Sequence, residues 1–229
     1  MNTAIKCVAF DAVGTIIDCE PSVSAIYAEV ASNFGSHMSA TDVGKKLGTA
    51  MAVFDEDSAE HDFRTTEARE FELWKEVVRR VVDDVDRFDE FFDELHERFG
   101  QPDVWRLCDN VASTFEALQQ QGITVAIASN FDGRLHKVCD AYPELADISI
   151  RVISSEVGYR KPSLGYYNGL TEACGCPANE ILMVGDTPLN DDDGAVAAGL
   201  NAVLVDRTRD ADLPQRISCL SQIVELISA

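Results

Sequence analysis

Lys6-Cys7-Val8-Ala9-Phe10-Asp11-Ala12-Val13-Gly14-Thr15 runs from apolar residues into an aspartate and a glycine turn. The run Lys6–Phe10 is too short for a helix and reads as a buried parallel strand. Four runs of the same kind follow at Ile123–Ser129, Ile148–Ser154, Ile181–Gly185 and Ala202–Asp206. Helical periodicity fills the intervals between the later ones. Val111, Phe115 and Leu118 share one face, and Leu135, Val138, Cys139 and Tyr142 another. Strands alternating with helices predict an α/β fold built on a doubly wound, mainly parallel sheet. Right-handed crossovers then put helices on both of its faces.

Between the first and second runs lie roughly a hundred residues, far more than one crossover needs. Val23, Ile26, Tyr27, Val30 and Phe34 fall on one helical stripe, with Pro21 expected in its first turn. Phe71, Trp74, Val78 and Val81 make a second stripe; Phe88, Phe91, Phe92, Leu95 and Phe99 make a third. The expectation is an inserted helical domain over 18–102, closing near Gly100-Gln101-Pro102. Residues 1–17 and 103–229 then form a Rossmann-like core. Gly35–Asp62 is poorly periodic and is expected to be mainly loop with a short helix. The acidic run Asp83–Glu94 reads as a solvated face. The aromatics of the insertion, Phe54 and Phe63 among them, read mostly as bundle core.

The 229 residues are 46% hydrophobic and 26% charged, enough to bury a sizeable core. Lys and Arg number 19 against 40 Asp and Glu, a net charge of −21. That field repels phosphate backbones and anionic lipid, so neither nucleic acid nor a membrane surface is an expected partner. An anionic substrate needs a local cation. No apolar stretch reaches the length of a membrane span. The seven cysteines are odd in number and scattered, without a CxxC pair or zinc-type spacing. Reduced thiols in a cytoplasmic protein are therefore expected. The first strand begins so near Met1 that no signal peptide is expected.

Four strand ends carry the chemistry. Asp11 ends the first run, where open α/β sheets bind ligands, and Gly14 permits a tight turn beside it. Ser129-Asn130 ends the second and offers a hydroxyl and an amide, which serve equally well as helix caps. Arg160-Lys161-Pro162 follows the third; a lysine there can neutralise phosphate or pair with Asp11. Pro162 is expected in the first turn of the next helix. The fourth gives Gly185-Asp186-Thr187-Pro188-Leu189-Asn190-Asp191-Asp192-Asp193. Its crowded carboxylates repel one another unless a cation sits among them, and oxygen-rich sites of this kind suit Mg²⁺.

Taken in order, these blocks resemble the haloacid dehalogenase superfamily: D-x-x-G-T at Asp11–Thr15, S-N at 129–130, R-K-P at 160–162 and G-D-x-x-x-x-D at Gly185–Asp191. The resemblance covers the whole chain, and the insertion is similar to the family's C1 helical cap. Ser129-Asn130-Phe131-Asp132 and the Glu70–Val78 region look closest to a little-characterised hydrolase branch. A P-loop and a Gly-x-Gly-x-x-Gly turn are both absent. The resemblance implies covalent catalysis, with Asp11 attacking phosphorus and water hydrolysing the aspartyl-phosphate. It implies Mg²⁺ held by Asp11, the Val13 carbonyl and Asp186, with support from Asp191. Gly14, Thr15, Ser129, Asn130 and Lys161 would bind the transferring oxygens of a small phosphorylated substrate.

One position departs from the pattern. Phosphatases of this family carry an acid/base aspartate where this chain has Val13. Its loss removes help worth roughly 10²–10⁴-fold. Candidates to replace it are His37, His61, Asp18 and Glu20; all four histidines, His96 and His136 included, read first as surface or cap residues. Three other readings follow from Val13. A metal-free 2-haloacid dehalogenase needs a cap arginine for the substrate carboxylate, and no arginine precedes Arg64. A phosphonoacetaldehyde hydrolase needs a cap lysine, for which Lys45 and Lys46 are the nearest candidates. The third is a phosphate- or partner-binding module that lost its proton shuttle. The expected activity is a Mg²⁺-dependent, phosphatase-like hydrolase with weakened acid/base catalysis.

Overall fold

All five apolar runs are strands in the computed structural model, which describes residues 4–207 and 216–228. Positions 1–3, 208–215 and 229 of the expected core lie outside the described residues. The strands are β1 (Cys7–Phe10), β2 (Ile17–Cys19), β3 (Trp105–Leu107), β4 (Thr124–Ser129), β5 (Ile150–Ile153), β6 (Ile181–Gly185), β7 (Asn201–Val205) and β8 (Arg216–Ile217). Six of them form one sheet in the order β5-β4-β1-β6-β7-β8. Every neighbouring pair in it is parallel. The chain fills one side of β1 first, then returns to build the other. This places a topological switch point at the carboxyl end of β1, where such sheets bind ligands.

The helices, in chain order, are α1 (Val23–Ser32), α2 (Ala40–Ala50), α3 (Ala52–His61), α4 (Glu67–Val81), α5 (Phe88–Arg98), α6 (Val111–Gln120), α7 (Arg134–Asp140), α8 (Pro143–Ala146), α9 (Ser154–Val157), α10 (Leu164–Cys174), α11 (Gly194–Ala197) and α12 (Gln222–Ser228). Two apolar clusters sandwich the sheet. Val8, Phe10, Ile127 and Val184 face one, continuous with the inserted helices; Cys7, Ala9, Met183 and Tyr166 belong to the other. The alternation of Val8 and Phe10 against Cys7 and Ala9 is the period-two pleat of a strand buried on both faces. Among the described residues, no helix is long and apolar enough to cross a membrane.

Helices α1 to α5 leave the core between β2 and β3 and bury the three expected stripes, with Ile26, Tyr27, Val77, Val81, Phe91 and Phe92 inside. Strands β2 and β3 pair antiparallel, so both ends of the insertion are tied together by Ile17↔Leu107, Asp18↔Arg106 and Cys19↔Trp105. Three-residue strands carry too little alternation to be read from sequence.

Two expectations are corrected here. Gly35–Asp62 is largely helical, as α2 and α3. Ser39 caps α2, accepting from the Asp42 N–H at 3.2 Å. Val43 and Ala50 are buried where α2 packs on α1 and α4. Tertiary burial outweighs the helix cost of Gly44 and Gly48. The two prolines also lie outside the helices they were expected to open, two positions before the first helical residue. Ser22 caps α1 and Ser163 caps α10, so Pro21 and Pro162 precede the caps and are not in the first turns.

Candidate active site

The parallel register sets Phe10 beside both Ile127 of β4 and Val184 of β6. The next residue, Asp11, therefore leaves the sheet between the ends of two neighbouring strands. Lys161 reaches the same point from the loop before α10. Its Nζ donates to Asp11 Oδ1 at 2.8 Å, to Asp191 Oδ1 at 2.6 Å and to the Ala128 carbonyl at 3.0 Å. Asn130 anchors that loop: its amide donates to the Lys161 carbonyl at 3.0 Å and accepts from the Lys161 N–H at 2.7 Å. Asp191, fully buried on the π-helical turn Pro188–Asp193, takes a second bond from the Thr187 N–H at 3.0 Å.

Asp11, Asp186 and Asp191 each bring one carboxylate oxygen within 4.8 Å of the others. Three carboxylates and one ammonium leave two uncompensated negative charges when all are ionised. The strain shows in the acidities. Burial pushes Asp11 up to about 6; Lys161 opposes the rise and Asp191 and Asp186 add to it. Burial and Asp191 likewise raise Asp186. Burial works to lower the Lys161 pKa, but Asp11 and Asp191 hold it well above the ordinary lysine value. A divalent cation is the group that this donor set is short of, and oxygen donors around a partly open Asp186 fit Mg²⁺.

Two glycines make the cluster possible. Gly14 has φ +82°, and a Cβ there would fall 2.4 Å from Asp186 Oδ2. A Cβ on Gly185 would fall 2.2 Å from the Asp191 Cγ. Thr15 is fully buried, and its Oγ1 has no hydrogen-bond partner. That hydroxyl leaves a hydrogen bond open at the turn after Asp11. Ser129 is buried at the end of β4. Arg207, which the sequence reading did not single out, donates to the Gly14 and Thr15 carbonyls at 2.5 and 2.7 Å and so fixes this turn.

A second set of contacts joins the inserted helices to the core. Arg160 donates to both oxygens of Glu70 on α4 at 2.8 Å, and its guanidinium lies 4.0 Å from the Phe54 ring centroid. Thr65 Oγ1 also donates to Glu70, at 2.8 Å. Main-chain bonds from Thr65 N to Gly158 O and from Arg160 N to Phe63 O join the two parts, at 3.1 and 2.9 Å. Glu67 accepts from the Gly133 N–H at 2.9 Å and from the Ser155 hydroxyl.

Between the inserted helices and the core lies a cavity of about 190 Å³. Val13, two residues after Asp11, and Asn130, bonded to the Lys161 main chain, lie on its core side; Tyr27, Trp74, Phe92 and His96 lie on the helical side. The proton-donor candidates lie elsewhere. Asp18 and Glu20 pair with Arg106, the His37 N–H donates to Asp84, and His61 sits against Asp57. Lys45 and Lys46 pair with Asp42 and Asp83 on the outer surface of the insertion. His96, read from sequence as a surface or cap residue, is the histidine that borders the cavity. Burial and the neighbouring Arg134 push it down to about 4, so its ring is neutral.

The family model for haloacid dehalogenase-like hydrolases matches residues 5–199. The chain belongs to that family of hydrolases. A Danio rerio protein named haloacid dehalogenase-like hydrolase domain-containing protein 3 is 23% identical over 213 residues, 90% of this chain and 87% of its own. A phosphoglycolate phosphatase of Aliivibrio fischeri is 24% identical over 200 residues, 86% of this chain and 82% of its own. An L-2-haloacid dehalogenase of Xanthobacter autotrophicus shares the fold with a TM-score of 0.78, at 15% identity over 98% of each chain.

Proposed function

We propose that this chain is a Mg²⁺-dependent phosphatase that hydrolyses a small phosphate monoester through a phosphorylated Asp11, with residues 18–102 acting as a cap that gates access. The observation carrying the proposal is the Lys161 ammonium shared by Asp11 and Asp191 beside Asp186, a cluster two negative charges out of balance. The Asp11 carboxylate, the Val13 carbonyl and Asp186 would hold the ion, with Asp191, whose two oxygens are engaged by Lys161 and Thr187, in support. When bound, Mg²⁺ neutralises phosphoryl oxygens and favours the ionised form of Asp11.

The chain's own residues then divide the work. Lys161 holds Asp11 Oδ1, leaving the other carboxylate oxygen to attack phosphorus while the ester oxygen departs with the bonding pair. Thr15, Ser129 and the N–H groups after Asp11 would take the transferring oxygens, while Lys161, its three N–H groups committed to Asp11, Asp191 and the Ala128 carbonyl, offsets their charge. Water then attacks the phosphorus of the aspartyl-phosphate, releasing inorganic phosphate and restoring the carboxylate. Positioning and charge neutralisation supply most of the acceleration. Val13 transfers no proton, so the departing oxygen takes its proton from water.

A metal-free displacement of halide has no use for three converging carboxylates. It also needs a free cation for the substrate carboxylate, whereas Arg134 at the cavity is held by Asp132. The discriminating assay offers a phosphate ester, a phosphonate and a 2-haloacid with Mg²⁺ or with EDTA. Phosphate release from the ester is expected only with Mg²⁺, and Asp11→Asn lowers it at least about a thousandfold. Metal-independent halide release, or full activity of Asp11→Asn, overturns the proposal.

A further inference from the structure

We infer that the substrate is an aryl phosphate: a phosphorylated phenol with one small ring and no second anionic group. The inference rests on the phosphatase reading above and names the ester that the site selects. Two independent observations converge on it.

The first is the cavity. Its walls are Val13 and Phe131 from the core and Val23, Trp74, Val78 and Leu95 from the inserted helices, with further aromatic rings around them. An apolar cavity of about 150 Å³ holds a benzene molecule. At about 190 Å³ this one holds a single ring with a small substituent. A sugar or nucleoside would set most of its polar groups against this largely apolar lining, where Asn130, His96 and Arg134 are the polar exceptions besides the tips of the Tyr and Trp rings.

Charge selects as well. Arg134 is the one Lys or Arg among the described lining residues, and it is spent. Its Nε and Nη2 donate to the two Asp132 oxygens at 2.8 and 2.6 Å, and its Nη1 donates to the His96 carbonyl. His96 is neutral. A carboxylate or second phosphate on the leaving group would enter without a partner, at a cost that exceeds any apolar contact it makes.

The second observation is Val13 itself. The residue that removes the proton donor also lines the cavity, two positions along the chain from Asp11. An alcohol needs that donor because its alkoxide is a poor leaving group. A phenol ionises near pH 10, as tyrosine does, and its oxygen departs unprotonated. One substitution therefore disfavours alkyl esters and extends the apolar wall that a ring would contact.

The test compares kcat/KM for phenyl phosphate and 4-carboxyphenyl phosphate on the wild-type protein with Mg²⁺, alongside phosphorylation of Asp11 by acetyl phosphate. The carboxylated phenol is the better leaving group, so intrinsic reactivity favours the charged ester. The inference predicts that phenyl phosphate is nevertheless better by about ten- to a hundredfold. A series of uncharged phenols should also show turnover falling steeply as the phenol becomes less acidic. If acetyl phosphate labels Asp11 but the charged ester is turned over equally well or better, the aryl assignment is overturned and the phosphatase reading stands. If Asp11 is not labelled and no ester is turned over, the phosphatase reading fails and this inference goes with it.

Discussion

The floor and the roof of this cleft are built on opposite principles. The floor gathers Asp11, Asp186, Asp191 and Lys161 where strands end, each charge held within hydrogen-bond reach of another group or close to its neighbours. The roof, from the inserted helices, is aromatic and aliphatic, and its His96 is kept neutral by burial, while Arg134, which meets it from α7 of the core, is held by Asp132 before a ligand arrives. The difference teaches a division of labour. On the proposed reading, the charged floor would handle the phosphoryl group and the neutral roof would decide what is attached to it.

The most severe way to break the floor is Lys161→Met. It strands buried Asp11 and Asp191 without their cation, and loss of one partner from a buried pair costs about 3–5 kcal/mol. Chemical denaturation should show a loss of that size, with turnover falling at least about a hundredfold. A variant within about 1 kcal/mol of wild type would show that the lysine is not integral to the cluster.

Val13→Asp sharpens the boundary between floor and roof. It supplies a proton donor, so alkyl esters such as benzyl phosphate should gain about ten- to a hundredfold in kcat/KM, while phenyl phosphate gains little. Equal gains for both would mean that the absent acid does not limit leaving-group departure.

The smallest expected effect concerns the roof's neutrality. Unfolded, a histidine binds a proton near pH 6.5; His96 in the folded protein does so near 4. Between those values the unfolded state binds more protons, so stability declines as pH falls through that window. Discounted for the ring's partial access to water, the loss is on the order of 1–2 kcal/mol. The difference in unfolding free energy between wild type and His96→Gln, followed from pH 7 to 4, isolates it from the many carboxylates. A difference that does not change with pH would place the ring in water.

The floor was legible in the sequence because four blocks, each weak alone, stand in order at strand ends and together resemble one family's pattern. They are Asp11 after Cys7–Phe10, Ser129-Asn130, Lys161 before Pro162 and the crowded acids after Ile181–Gly185. The roof was not legible, for a physical reason. Trp74, Phe92 and Leu95 keep the same helical spacing whether they meet another helix or border a cavity, and periodicity reports the face and not what it faces. The cavity-facing role of His96 was missed in the same way: Phe92 stands one turn before it on α5, but the Phe71 ring that helps to bury it comes from α4. Helices α2 and α3, rich in polar residues and glycine, owe their order to contacts that no local window contains. The Arg160–Glu70 pair joins segments 90 positions apart, and neither residue announces the other.

Mass spectrometry of the protein incubated with acetyl phosphate tests the central claim most directly. With Mg²⁺ present, a single phosphoryl group should appear on Asp11. It should vanish with EDTA and be absent from Asp11→Asn. Labelling that ignores the metal, or that settles on another residue, would contradict the account.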